Sequence, residues 1–243
     1  MALREEFKTQ GDHLFKYRSY FPLILLVLGL LVFVMGKTKP FSSFIGQYQE
    51  WMEDPAIFIS LFGLAIRLHA VGFSGKNTSG RNTGYGQLAD ILNTRGLYSL
   101  TRNPLYLGNY LMWLGIAMLT GNPWFVAVFT LVFWIYYERI IFAEEEYLRT
   151  KFADQYLQWA ARTPIFIPTH LRWRRSESPF LWRKVLKQEK NSLVPLFLIF
   201  SVFDVLGARI EHSETLISKP WLLIMFGVSA TAYIMIKLLK RRF

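Results

Sequence analysis

The sequence predicts an all-α, polytopic membrane protein with about six transmembrane segments, a central helical hairpin and a cytoplasmic amphipathic helix. Three observations support this fold class. Of the 243 residues, 52% are hydrophobic and 17% are aromatic, which is unusual for a soluble domain. The 35 residues between Arg102 and Glu138 include no charged side chain. The basic residues are also distributed unevenly between the segments that connect the apolar runs.

The uncharged stretch is too long for one membrane crossing. A single helix of that length would extend about 50 Å, whereas the hydrocarbon core of a bilayer is about 30 Å thick. A Gly121-Asn122-Pro123 sequence at its middle favours a turn over a helix interior. We therefore expect two spans that form a hairpin, with Arg102 and Glu138 at the same membrane face.

Apolar segments on either side of the hairpin bring the number of predicted transmembrane spans to six. The six predicted spans are Phe21–Met35, Ala56–Phe73, Leu105–Leu119, Trp124–Phe142, Leu193–Ile210 and Trp221–Ile236. Several are close to the shortest length that crosses a bilayer. The first twenty residues are polar and no clear small-residue cleavage site follows, so the first apolar segment is expected to be a retained span.

The distribution of charge predicts the orientation. With a cytoplasmic N-terminus, 23 of the 28 Lys and Arg residues lie on the cytoplasmic side, as the positive-inside rule expects. The predicted location is the bacterial inner membrane or the endoplasmic reticulum, with an active site that faces the cytoplasm. The net charge of +11, combined with apolar spans, favours anionic lipid headgroups over nucleic acid as the partner. The oligomeric state is left open.

Only two cytoplasmic segments, about 74–103 and 143–191, are polar and long enough to build a site. The first contains a Gly-, Asn- and Ser-rich run from Ser74 to Gly84, predicted to be a loop. It is either a flexible linker or a backbone-rich anion cradle. The second begins with a helix that places Leu148, Phe152, Tyr156 and Trp159 on one face, lying on the membrane or over the mouth of the spans.

The domain prediction is a single membrane domain over residues 1–243. Its catalytic core covers about 60–168, and an extension of about 169–243 adds a basic linker and two spans. The chain has no cysteine, which excludes disulfides and thiolate sites. No metal site is predicted, because the four histidines form no metal-ligand spacing.

Two polar motifs flank the hairpin. The set before it is Gly96, Tyr98, Arg102, Asn103, Pro104, Tyr106, Leu107 and Gly108, and the set after it is Glu144, Glu145, Leu148, Phe152, Tyr156, Pro164, Phe166 and Pro168. In order and spacing, they resemble the isoprenylcysteine carboxyl methyltransferase and phospholipid methyltransferase superfamily of integral membrane enzymes. The resemblance covers about residues 60–168 and is specific as a set, although each element alone is a weak signal.

The resemblance implies an S-adenosylmethionine-dependent methyltransferase. It implies cofactor-binding roles for Gly96, Tyr98, Arg102, Asn103, Pro104, Tyr106, Leu107, Gly108, Glu144 and Glu145, and catalytic roles for Arg102 and Asn103. Two residues depart from the family pattern, since Asn103 replaces a His and Ala153 replaces a Gly. An Asn forms hydrogen bonds but cannot become a cation near neutral pH, so Asn103 is expected to position the cofactor rather than transfer a proton.

The residue types suit this cofactor. Carboxylates such as Glu144 and Glu145 can accept hydrogen bonds from a ribose diol or pair with an ammonium. Tyr98 and Tyr106 can stack on adenine or face a sulfonium, and Arg102 can hold a carboxylate or an acceptor anion. Taken singly, the same residues have simpler explanations. Glu144 and Glu145 fit the solvated start of a helix, Tyr98 and Tyr106 fit interfacial aromatic residues, and Arg102 fits a positive-inside anchor.

The acceptor is predicted to be a membrane lipid or a lipidated molecule. Arg67 and His69 are the candidate substrate-binding residues, because ionisable groups within an apolar span are costly and often functional. Arg67 either holds an anionic acceptor or simply reaches the interface. Asp204 is interpreted as structural. A lipid phosphate, a phospholipid amine and a prenylated carboxylate are possible acceptors, and the basic surface favours an anionic group.

Two other functions remain open from the sequence. Membrane sterol and steroid reductases share a related pattern and use NADPH, although the Glu-Glu and Pro-x-Phe-x-Pro elements favour methyl transfer. A non-enzymatic carrier or assembly protein is the second alternative, and it predicts no saturable binding of S-adenosylmethionine.

Overall fold

The computed structural model describes residues 2–38, 43–75, 81–83, 86–88, 90–212 and 215–239. Helices dominate these residues, together with one short antiparallel strand pair and a 3-10 helix over Leu97–Ser99. The helices are α1 (Leu3–Tyr17), α2 (Phe21–Thr38), α3 (Ser43–Phe73), α4 (Pro104–Met118), α5 (Pro123–Ala160), α6 (Trp182–Ile210) and α7 (Pro220–Leu239). The strands are β1 (Arg81–Thr83) and β2 (Gly86–Leu88).

This architecture confirms the predicted class of all-α polytopic membrane protein. Within the described residues, five helical segments are long and apolar enough to cross a membrane: α2, Met52–Phe73 of α3, α5, α6 and α7. The third predicted span coincides with α4, which has only 15 residues. At 1.5 Å per residue, α4 extends about 22 Å, less than the thickness of a hydrocarbon core.

Helices α4 and α5 form the predicted hairpin. Residues 119–122 connect them, with Gly121 at a φ of 65°. The Asn122 side chain then accepts a hydrogen bond of 3.1 Å from the Phe125 amide, which caps the first turn of α5. Ring contacts fix the antiparallel register, since Tyr106 lies opposite Tyr137. The two motifs at the ends of the hairpin are thereby brought to the same end.

The predicted amphipathic helix is a continuation of α5 rather than a separate element. Helix α5 extends through the acidic residues to Ala160, and its direction changes at Ala153, where φ is 42° and ψ is −120°. Side chains with a Cβ rarely adopt this conformation, whereas glycine does so readily. The break falls at the position where the family pattern has glycine. The residues after the break include the buried Tyr156.

Two polar regions differ from the sequence prediction. The polar N-terminus, to which no element was assigned, forms the helix α1. Part of the predicted loop from Ser74 to Gly84 is instead a strand, β1, that pairs with β2. The possible anion cradle falls largely on residues 76–80 and 84, which lie outside the described residues.

The chain divides into two compact units. The first comprises 1–21, 65–110 and 131–181, and it contains every residue of the two sequence motifs. The second comprises 22–64, 111–130 and 182–243. In the second unit, α6 packs against α7. The Asp204 carboxylate accepts hydrogen bonds from the Ser218 and Lys219 amides just before α7, which supports its interpretation as a structural residue.

Candidate active site

The centre of the candidate site is an ion pair between the two ends of the hairpin. Arg102 Nε lies 3.2 Å from Glu145 Oε1, and the two side chains are only 13% and 26% exposed. Neither of these two atoms makes a hydrogen bond to any described residue. The charges are therefore adjacent but not aligned for a hydrogen bond, so both atoms keep capacity to bind another group.

Hydrogen bonds fasten the start of α4 to the segment that follows α5. The Arg102 amide donates to the Pro164 carbonyl at 2.9 Å. The Thr101 hydroxyl and the Asn103 side-chain amide both donate to the Ile165 carbonyl, at 3.2 and 3.0 Å. The Pro-x-Phe-x-Pro exit thus holds the Arg102 backbone in place. The Asn103 side chain forms part of this connection.

The 3-10 helix before α4 places Tyr98 in the site. It begins at Gly96, whose φ of 59° suits glycine and whose amide donates to the Arg174 carbonyl at 2.8 Å. Tyr98 is 7% exposed, and its carbonyl accepts a hydrogen bond of 3.1 Å from the Trp159 indole. Burial raises the pKa of the Tyr98 hydroxyl well above its usual range, so this group remains a hydrogen-bond donor.

The two consecutive carboxylates have different partners. The Tyr106 hydroxyl lies beside Glu144, and the Tyr106 ring lies 5.0 Å from the Tyr137 ring. Glu145 instead pairs with Arg102 and lies beside Tyr156. Glu144 and Glu145, which both lie on α5, therefore contact two different residues of the first motif, Tyr106 and Arg102.

The remaining residues of the first motif shape the start of α4. Pro104 is fully buried and occupies the first helical position, where its missing amide hydrogen costs nothing. The Leu107 amide donates to the Asn103 carbonyl at 3.0 Å, and Gly108 is buried. These three residues contribute backbone and packing rather than polar side chains.

Arg67 and His69 lie in different surroundings. Arg67 donates a hydrogen bond to Asn109 Oδ1 and is close enough to Tyr98 to interact with it electrostatically. His69 packs on Phe73, with ring centroids 4.6 Å apart, and on Trp173, at 5.6 Å. Arg67 therefore belongs to the polar cluster, whereas His69 forms part of an aromatic wall.

The structure adds residues that the motif analysis did not place in the site. They are Asn109, Tyr137, Tyr156 and Trp159. In the sequence, Asn109 stands out as an amide side chain within an apolar helix. Tyr137 stands out only once the hairpin places it opposite Tyr106. Tyr156 was recognised as part of the second motif, but its proximity to Glu145 depends on the break at Ala153.

An apolar groove along α5 includes Glu145 in its lining. Its volume is about 180 Å³. It is lined by Phe133, Trp134, Tyr137, Glu138, Ile141, Phe142, Glu145, Ile165 and Phe166. Glu145 thus pairs with Arg102 and also lines a groove of mostly apolar side chains.

Comparison with known proteins identifies related sequences. Residues 55–155 match the family model described as phospholipid methyltransferase. A protein-S-isoprenylcysteine O-methyltransferase of Schizosaccharomyces pombe is 27% identical over 159 residues, which cover 60% of this chain and 66% of the relative. Protein-S-isoprenylcysteine O-methyltransferase B of Arabidopsis thaliana is 27% identical over 143 residues, covering 58% of this chain and 72% of the relative.

A bacterial protein is also similar. The cobalt-zinc-cadmium resistance protein CzcN of Cupriavidus metallidurans is 38% identical over 128 residues, covering 53% of this chain and 56% of the relative. The chain therefore spans between 56% and 72% of the length of these three relatives. No solved structure has significant similarity to the chain.

Proposed function

Because residues 55–155 make this chain a member of the isoprenylcysteine carboxyl and phospholipid methyltransferase superfamily, we propose that it transfers a methyl group from S-adenosylmethionine to a membrane lipid or lipidated acceptor. The observation that supports this most strongly is that Glu145 both pairs with Arg102 and lines an apolar groove. The polar methyl donor and the hydrocarbon chain of the acceptor must be bound side by side, which requires a polar site next to an apolar groove.

The residues present fit S-adenosylmethionine. Arg102 Nε, Glu145 Oε1 and the Tyr156 hydroxyl are buried polar atoms without a hydrogen-bond partner among the described residues, and they lie together. A buried polar atom of this kind carries a desolvation cost that a bound polar ligand relieves. The cofactor offers a carboxylate, an ammonium and a ribose diol, which complement a guanidinium and carboxylates.

We propose that the motif residues together bind this cofactor. Arg102 would hold a carboxylate, Glu144 and Glu145 would accept from the diol or the ammonium, and Tyr98 and Tyr106 would supply aromatic surface. Bound there, S-adenosylmethionine supplies an electrophilic methyl group that an acceptor oxygen or nitrogen takes directly, leaving S-adenosylhomocysteine. Asn103 keeps the exit segment attached to α4, so its role is positioning.

Little acid–base chemistry is required of the protein when the acceptor is already an anion. The side chains then contribute proximity, orientation and exclusion of water. Arg67, which is fixed by Asn109 beside Tyr98, is the proposed contact for an anionic acceptor such as a lipid phosphate or carboxylate. The apolar groove along α5 supports lateral entry of the acceptor's hydrocarbon chain from the bilayer.

The proposed catalytic core covers about 60–168. We place the site at the cytoplasmic face of a bacterial inner membrane or endoplasmic reticulum, on the basis of the positive-inside charge distribution.

The decisive assay uses purified protein in liposomes made from lipid extract, with S-adenosylmethionine carrying a labelled methyl group. The expected result is label in a lipid-soluble product that has gained 14 daltons by mass spectrometry. Label confined to water-soluble material in the presence of the extract would contradict the proposal. Identification of the labelled lipid then distinguishes phosphate, amine and carboxylate acceptors.

A further inference from the structure

The 3-10 helix that carries Tyr98 has only one turn, so contacts with the rest of the chain must hold it in place. It comprises Leu97–Ser99. A helix this short does not persist in isolation, because one turn fixes several backbone angles in exchange for very few hydrogen bonds. Residues that follow α5 supply the contacts. One is the Trp159 indole on the Tyr98 carbonyl, and others come from residues 173–181, which we call the return segment.

Ser99 is the residue at which the 3-10 helix meets the return segment. It is 9% exposed, and its hydroxyl donates a hydrogen bond of 2.7 Å to the Gly96 carbonyl. The same oxygen accepts a hydrogen bond of 3.0 Å from the Arg174 amide. The Gly96 amide in turn donates to the Arg174 carbonyl at 2.8 Å. Both backbone polar groups of Arg174 are therefore bonded to this one turn, and the Ser99 hydroxyl completes the connection.

The other end of the return segment is fixed to the end of α3. The Leu181 amide donates to the Gly72 carbonyl at 2.8 Å, and the Ser176 hydroxyl donates to the Phe73 carbonyl at 3.1 Å. The Phe180 ring lies directly on Gly72, where a Cβ atom would come within 2.1 Å of the Phe180 Cε2 atom. Glycine at position 72 therefore allows this ring to pack against the α3 backbone.

Hydrogen bonds and ring packing, rather than surface charge, hold the return segment. The Trp173 ring packs on the His69 ring of α3, with centroids 5.6 Å apart. An ion pair joins Arg95 to Glu177 at 2.6 Å, but these side chains are 48% and 74% exposed. Exposed ion pairs contribute little to stability. We therefore do not count this pair among the contacts that fix the segment.

The return segment thereby joins the two elements that carry proposed ligand contacts. Helix α3 carries Arg67, the proposed contact for the acceptor, shortly before Gly72. The 3-10 helix carries Tyr98, the proposed aromatic surface for the methyl donor. A segment that is fixed to both elements limits how far either contact can move. This restriction matters because methyl transfer depends on the relative placement of donor and acceptor.

We propose that the return segment is a functional part of the active site and that Ser99 is a positioning residue, which fixes Tyr98 against the methyl donor through the hydrogen bond from Arg174. This inference rests on the proposed function. It extends the functional unit to residue 181, whereas the region that matches the family ends at residue 155.

The test is calorimetric binding of S-adenosylhomocysteine to the full-length protein in detergent. We expect Ser99→Ala to weaken binding about tenfold, because the Arg174 amide loses its acceptor and the turn loses a connection. Ser99→Thr keeps the hydroxyl and should bind within about threefold of the wild type. Ser229→Ala is the matched control and should bind like the wild type. It also removes a buried hydroxyl that donates to the carbonyl three residues earlier, but in α7.

A double-mutant cycle tests whether Ser99 acts through Tyr98. Tyr98→Leu removes the aromatic surface, so Ser99→Ala should weaken binding no further in the Tyr98→Leu background. Additive losses would overturn the inference, and so would unchanged affinity in Ser99→Ala or an equal loss in Ser229→Ala. Failure of the wild type to bind S-adenosylhomocysteine would instead contradict the proposed function.

A second variant loosens the return segment without changing either motif. Phe180→Ala removes the ring that lies on Gly72, and we expect it to weaken S-adenosylhomocysteine binding about fivefold. Phe226→Ala is the control, since it removes another half-buried ring, from α7 in the second unit. Wild-type affinity in Phe180→Ala would show that the site does not need the return segment.

Discussion

The side-chain amide of Asn103 donates a hydrogen bond of 3.0 Å to the carbonyl oxygen of Ile165. This contact connects the first residue before α4 to the segment after α5, and it sits where the family pattern has histidine. A histidine also offers an N–H donor, so either residue can make the connection. An asparagine in place of the histidine therefore removes a titratable imidazole while keeping a hydrogen-bond donor.

Exchange of the Asn103 side chain tests this explanation. Asn103→Asp has nearly the same shape but no donor at neutral pH, so the Ile165 carbonyl would face a carboxylate. We expect this variant to bind S-adenosylhomocysteine about tenfold more weakly, whereas Asn103→His should bind within about threefold of the wild type. Calorimetry measures both constants. Equal binding by the Asp and His variants would contradict a donor role.

Removal of the Glu145 carboxylate should weaken cofactor binding. Glu145 is mostly buried and its Oε1 has no hydrogen-bond partner among the described residues, so loss of the charged hydrogen bond that it would make to the cofactor predicts a cost of about 1.5–3 kcal/mol for Glu145→Ala. Glu177→Ala is the control, because Glu177 pairs with Arg95 at an exposed position. The measurement is the dissociation constant for S-adenosylhomocysteine. Unchanged affinity in Glu145→Ala would remove this residue from the site.

Arg67→Ala should separate acceptor recognition from cofactor binding. The Arg67 side chain donates a hydrogen bond to Asn109 and is assigned to the acceptor, so S-adenosylhomocysteine should bind within about twofold of the wild type. Methyl transfer to lipid should fall at least about tenfold, because the proposed anion contact is lost. The control is Arg95→Ala. Loss of cofactor affinity in Arg67→Ala would refute its assignment to the acceptor.

The backbone at Ala153 predicts a stabilising substitution. With φ at 42° and ψ at −120°, an alanine is strained and a glycine is not. Ala153→Gly should therefore raise the free energy of unfolding by about 1 kcal/mol. Ala127→Gly, in a regular helical part of α5, should lower it by about the same amount. Denaturant titration of both variants provides the comparison, and destabilisation by Ala153→Gly would contradict the strain.

The hairpin could be predicted because its signals are local. An uncharged run and a Gly-Asn-Pro turn predict two helices whose outer ends, at Arg102 and Glu138, meet at the same face. In the structure, the Tyr106 ring contacts the Tyr137 ring near those ends. The partners of individual site residues could not be predicted in the same way. The pairing of Glu144 with Tyr106, and of Glu145 with Arg102, depends on rotation about α5 that the sequence pattern does not define.

The packing of the N-terminal helix against α5 could not be predicted from the sequence either, but for a different reason. Helix α1 is polar on most of its surface, and its contact with α5 depends on the absence of a side chain at Gly11. The extended α5 likewise conceals the break at Ala153, since alanine is a strong helix former. In the sequence, Ala153 replaces the glycine of the family pattern, but no break was predicted there.

The most direct test of the central claim is a calorimetric titration of the purified, full-length protein with S-adenosylhomocysteine, alongside a titration with NADPH. We predict saturable binding of S-adenosylhomocysteine at one site per chain and no heat from NADPH. Absence of S-adenosylhomocysteine binding, or saturable binding of NADPH in its place, would contradict a methyl-donor site between the two ends of the hairpin.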